Sequence, residues 1–143
     1  MKHLLKLGLF VSLFIVPSAN VWSDDLAKLE GKWVVKKTNG DGQAFTQIVE
    51  IKKDKFTLSI VGSDGKVRLY AEGALKLAKL GSFNSIQFLN IKAGASELDL
   101  QPIDDDHISI YMLEEGSWTV ASNFDKDRGD QKPSLDTYKK VQK

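Results

Sequence analysis

The 143-residue chain contains no cysteine. That absence excludes disulfides, thiolate metal ligands, a cysteine nucleophile and the lipid-modified cysteine of a bacterial lipoprotein. Histidine is scarce: besides His3 there is only His107. Neither sign of charge dominates, since 20 basic residues face 19 acidic ones and the two are interspersed. A balanced, unclustered surface offers no electrostatic footprint for nucleic acid. A long hydrophobic run is also missing. The longest candidate, Leu7 to Val16, would rise about 15 Å as a helix, half of a hydrocarbon core about 30 Å thick, before Pro17 disrupts it. No internal repeat or low-complexity segment is evident.

What the N-terminus does have is the three-part pattern of an export signal. "MKHLLKLGLFVSLFIVPSANVWSDD" begins with Lys2 and Lys6, continues through the apolar run and ends on small residues. Val21-Trp22-Ser23 places the expected cleavage after Ser23. The reading is therefore a signal peptide over 1–23 and one domain over 24–143, exported to the periplasm or beyond, soluble and with no stable membrane anchor after cleavage. Without covalent staples, such a domain must be held by its own apolar core.

The rest of the chain reads as strands. Phe56, Leu58 and Ile60 alternate with Thr57 and Ser59, then "GSDG" turns the chain, and Val67, Leu69, Ala71, Gly73, Leu75 and Leu77 hold period two. Side chains reverse face at every strand residue, so this ribbon buries one side. Gly73 marks where a long strand bends or bulges. Further runs cover Lys32–Lys37, Thr46–Lys52, Ser85–Lys92, Leu98–Ile103, His107–Leu113, Trp118–Ser122 and Thr137–Val141. The linkers "NGDG", "KKD", "DDD" and "EEGS" suit hairpins. The only helical turn is "DDLAKLEG", with Asp24 or Asp25 as cap and Gly31 as terminator. About nine short strands of one-sided pattern predict an all-β antiparallel sandwich or up-and-down barrel.

"LEGKWVV", the "DG" hairpins, "DKFTL", "SIYMLEEGSWTVASN" and "LDTYKKV" resemble the small exported lipocalin-like, calycin-type domains of planctomycete-type bacteria. The resemblance covers Leu26 to Val141 and implies an up-and-down barrel of eight or nine strands, closed at one end by the helical turn. Physically, Gly31 permits a sharp bend and Trp33 supplies a large plug. In lipocalin-like barrels a basic side chain of the last strand packs over this tryptophan. The matching position is Lys139 or Lys140, where a lysine stands in place of an arginine.

No residue set points to catalysis. His107 follows "IDDD" but has no serine or cysteine at a nucleophile motif, and reads as a solvated residue at a hairpin mouth. "DKDRGD", Asp125 to Asp130, spaces three carboxylates closely but lacks the terminal glutamate of a calcium loop, so it reads as a solvated loop. "NGDGQ" is a turn and no phosphate loop. The chain is expected to be no enzyme and to need neither metal nor cofactor. The family likeness implies a small apolar or amphipathic ligand, with Tyr70, Phe88, Tyr111 and Trp118 as candidate wall residues. The competing reading is a cell-envelope interaction domain with a filled interior.

Overall fold

The computed structural model describes residues 21–143, with side chains described from Asp24 onward. The signal segment expected over 1–23 lies outside the described residues, apart from the backbone of Val21–Ser23. No helix among the described residues is long and apolar enough to cross a membrane.

Helix α1 (Val21–Leu29) precedes nine strands: β1 (Gly31–Thr38), β2 (Ala44–Lys52), β3 (Lys55–Gly62), β4 (Val67–Leu80), β5 (Phe83–Gly94), β6 (Gln101–Pro102), β7 (His107–Glu114), β8 (Ser117–Ser122) and β9 (Ser134–Lys140). Strands β1 to β5 pair antiparallel in chain order, β5 then pairs with β7, β7 with β8 and β8 with β9, and β9 returns to β1 through Trp33 opposite Lys140. Eight strands thus form a closed up-and-down barrel. The ninth, β6, adds two residues to the edge of β5 that β7 also uses. Of the two all-β architectures the alternation allows, sandwich and up-and-down barrel, the antiparallel barrel is the one observed. Among the described strands closure leaves no long unpaired edge, which a chain without disulfides would otherwise have to protect by other means.

The strand expected over Leu98–Ile103 shrinks to Gln101–Pro102. The chain folds tightly back on itself before it, an approach Gly94 permits because a Cβ there would lie 1.8 Å from the Asp99 carbonyl oxygen, and Leu98 in this turn is 98% exposed. The last strand, by contrast, starts three residues earlier than the pattern suggests, at Ser134. Neither Asp24 nor Asp25 caps the helix, because it begins at Val21, ahead of both; the Asp25 carboxylate instead accepts the Tyr111 hydroxyl at 2.7 Å.

Gly73 lies at a register shift between β4 and β5. Three steps on β5, Lys92 to Leu89, oppose two on β4, Glu72 to Ala74. The extra residue is accommodated by Asn90, whose φ is 52°, a region that asparagine tolerates better than most. The bulge inverts the phase of β5, so Phe88 and Ile91 both point inward. Gly73 is needed because a side chain there would meet the Leu89 carbonyl at 2.6 Å and the Phe56 ring at 2.9 Å.

The interior has two layers. At the helix end Leu29, Trp33, Ile51, Leu75, Leu77, Ile86 and Tyr111 are packed and buried. Trp33 donates its indole N–H to the Leu29 carbonyl at 2.7 Å, so the plug also satisfies an otherwise free carbonyl at the helix C-terminus. Gly31, at φ 125°, turns the chain from helix to strand in a backbone region that disfavours other residues. At the opposite end the layer is open.

Candidate functional site

The open layer holds a cavity of about 360 Å³. Its floor is aromatic: Phe56 and Phe88 meet edge to face at 5.0 Å, and Trp118 bridges Tyr138 (5.1 Å) and Trp33 (5.8 Å). The turn after β3 and the loops after β1, β5 and β8 surround the mouth.

The two sides of the cavity differ in chemistry. Strands β3, β4 and β5 contribute Leu58, Ile60, Leu69, Ala71, Phe88 and Ile91. The other side, from β7, β8, β9 and β1, carries His107, Ser109, Ser122, Ser134, Asp136 and Lys37. These polar groups are largely joined to one another. Lys37 donates to Asp136 at 2.8 Å, Ser134 donates to the same carboxylate oxygen at 3.3 Å, and Ser109 and Ser122 share a hydrogen bond of 3.1 Å. Gln47 donates its amide to the Tyr138 hydroxyl at 2.8 Å. Burial, and secondarily Asp136, raises the Tyr138 pKa well above the ordinary phenol range, so this hydroxyl is neutral at pH 7.

One buried side-chain polar atom among the described residues has no hydrogen-bond partner: the Trp118 indole nitrogen. A buried, unpaired donor costs on the order of 1–3 kcal/mol.

Of the residues singled out from sequence, Phe88 and Trp118 line the cavity, whereas Tyr70 and Tyr111 do not. Tyr70 is out of phase with the inward-facing Leu69 and Ala71, so it stands on the outer face. Its pKa is raised by partial burial and then by the Glu97 and Glu72 carboxylates. Tyr111 belongs to the closed layer, where burial and the Asp25 carboxylate raise its pKa. Trp33, Gly31 and Lys140 meet at the helix end. The Lys140 ammonium lies 5.2 Å from the Trp33 ring centroid and donates to the Lys28 carbonyl at 2.9 Å, while its stem occupies the space a side chain at Gly31 would need. Lys139 instead donates to Ser117 on the outside.

Two loops differ from the solvated segments expected of them. His107 is half-buried and lines the cavity, since Phe88 on β5 is its cross-strand partner. Its Nε2 stands 3.3 Å from Asp105, yet burial and the Arg128 guanidinium lower its pKa below the ordinary histidine value. In "DKDRGD", Arg128 is 7% exposed and contacts both Asp105 (3.0 Å) and Asp125 (2.6 Å). Lys126 also pairs with Asp105, and Asp125 accepts the Ile108 backbone N–H at 3.1 Å. This cluster ties the β8–β9 loop, including the cavity residues Asn123 and Gln131, to the segment between β6 and β7. The sequence signal for it is slight: one arginine among acids, whose second partner lies 23 residues away. No group of three or more acidic or histidine side chains among the described residues is arranged to hold a metal ion. Nor does any serine or threonine hydroxyl among them hydrogen-bond to His107.

Compared with family models, curated proteins and solved structures, the chain matches none.

Proposed function

We propose that this chain is an exported, non-enzymatic, lipocalin-like binding module that holds a small apolar or amphipathic molecule in the open half of its barrel. The cavity carries the reading. At about 360 Å³ it lies within the range of small-molecule sites, roughly 300–1,000 Å³, and it combines an apolar wall with a few convergent polar groups. A packed interior would support an interaction domain instead, but packing here stops at the aromatic floor. Export rests on the basic, apolar and small-residue order of residues 1–23. A binding role is supported by the polar side chains of the cavity, which among the described residues pair with each other; the lack of cysteine and of a recognisable nucleophile motif in the sequence supports the non-enzymatic part.

The test is thermal unfolding across a panel of medium-chain alcohols, esters and acids. A ligand present at a hundred times its Kd stabilises the native state by about 2.7 kcal/mol, which raises the melting temperature by several degrees. No shift with any compound would refute a ligand-binding role.

A further inference from the structure

Resting on the binding role proposed above, we infer that the cavity selects uncharged amphipathic ligands, with hydroxyl or carbonyl groups along one edge of an apolar body, and discriminates against carboxylates of the same size.

Among the described residues, Lys37 is the only lysine or arginine lining the cavity and Asp136 the only acid. Their charged atoms are 2.8 Å apart, and both side chains are largely shielded from solvent, at 27% and 15% exposure. The pair leaves the polar wall with no net charge. A carboxylate entering the cavity would lose its hydration and meet a cation already engaged, with the Asp136 carboxylate beside it. Burying a charge without a free partner is among the most costly changes available to a site. Extracting Lys37 from Asp136 would not help, because it would leave the largely shielded aspartate without a counter-ion, held only by the Ser134 hydroxyl. His107 adds no second cation at pH 7, being held neutral by its burial and by nearby Arg128.

Neutral polar groups meet a different wall. Ser109 and Ser122 share one hydrogen bond, which leaves one hydroxyl proton and several lone pairs free to answer a hydroxyl or carbonyl. Gln47 and Tyr138, already joined by a hydrogen bond, add further uncharged polar groups to the lining. Opposite them, Leu58, Ile60 and Ile91 offer only apolar surface. The two-sided interior therefore orients a ligand with its polar edge towards β7–β9. Size sets a further limit: at about 30 Å³ for each water-sized volume, the cavity takes roughly twelve non-hydrogen atoms.

1-Decanol and decanoate meet that size and differ in charge. Isothermal titration of the exported chain at pH 7 should give decanol a Kd at least tenfold below that of decanoate. Asp136→Asn should release Lys37 and reverse the order, strengthening decanoate by tenfold or more. Equal or tighter decanoate binding by the unaltered protein overturns the charge selection while leaving the binding role intact. Failure of both compounds to bind overturns both. Should Asp136→Asn fail to fold, the comparison on the unaltered protein decides alone.

Discussion

Lys140 on the last strand lies directly across from Trp33 on the first, with its ammonium 5.2 Å from the indole centroid. This contact joins the two chain ends of the barrel, and the same lysine donates to the Lys28 carbonyl near the helix C-terminus. Trp33 is 1% exposed. Trp33→Ala should therefore cost about 3–5 kcal/mol, the range for emptying a large aromatic core site, whereas Lys140→Met should cost about 1 kcal/mol or less, since it keeps the stem and loses only the cation–π and hydrogen-bond contributions. Denaturant unfolding of both variants checks this. A loss under about 1 kcal/mol for Trp33→Ala would mean that the plug does not hold the barrel closed.

Gly73 permits the β4–β5 bulge by its lack of a side chain. Gly73→Ala should destabilise the barrel by about 1–3 kcal/mol, the usual cost of overpacking, because the neighbour it strikes first is backbone. Gly40→Ala, where nothing lies within 4 Å, is the control. Equal midpoints for the two variants in urea would show that the close approach at Gly73 is unimportant.

The Arg128 cluster holds the β8–β9 loop beside the cavity mouth. Arg128→Met should cost about 3 kcal/mol, the low end for breaking a buried ion pair, since Asp105 keeps Lys126 as a partner. It should also speed amide exchange at residues 123–133. Unchanged exchange there would show that the loop is held by other contacts.

Stability should fall on acidification in two stages. His107 is held below its unfolded value of about 6.5, so the unfolded chain takes up its proton first and native stability declines as pH drops below about 6.5. Asp125, held down to about 2 by Arg128, contributes stability that is fully present above the unfolded carboxylate range near 4 and is lost as pH falls towards 2. Asp105 is depressed in the same direction. His107→Gln should flatten the upper stage and leave the lower one. Melting temperature measured from pH 8 to pH 2 tests both; a rise in stability between pH 6.5 and 5 would reverse the assigned sign for His107.

Much of the barrel was legible in period-two alternation, because each strand buries one face against a shared interior. The inward series from Leu69 to Leu77 is plain in the sequence, and so is the special status of Gly73. What alternation cannot supply is the partner across the sheet. The phase change at Asn90 moves Ile91 inward against its own strand's pattern, and only the pairing with β4 reveals it. Tyr70 could have been set aside from its even position alone. Tyr111 has the inward phase of a cavity residue, and its placement in the closed layer follows from its depth along β7, a long-range property. The Arg128 cluster was hidden for the same reason: its acids come from two separate links that meet only when the barrel closes. The helix starts at Val21, ahead of the acidic residues that look like caps, and Asp25 inside it is engaged by Tyr111 across the barrel end, a contact no local pattern reveals.

The central claim is that the open half of the barrel is a binding site, and filling it tests that claim most directly. Ala71 lines the cavity on β4 and is 7% exposed, so a larger side chain there occupies ligand space. Isothermal titration of 1-decanol into the unaltered protein and into Ala71→Phe, each shown to be folded by its melting temperature, should give binding in the first and at least a tenfold loss in the second. Absence of binding to the unaltered protein, or undiminished binding to a folded Ala71→Phe variant, would contradict the account.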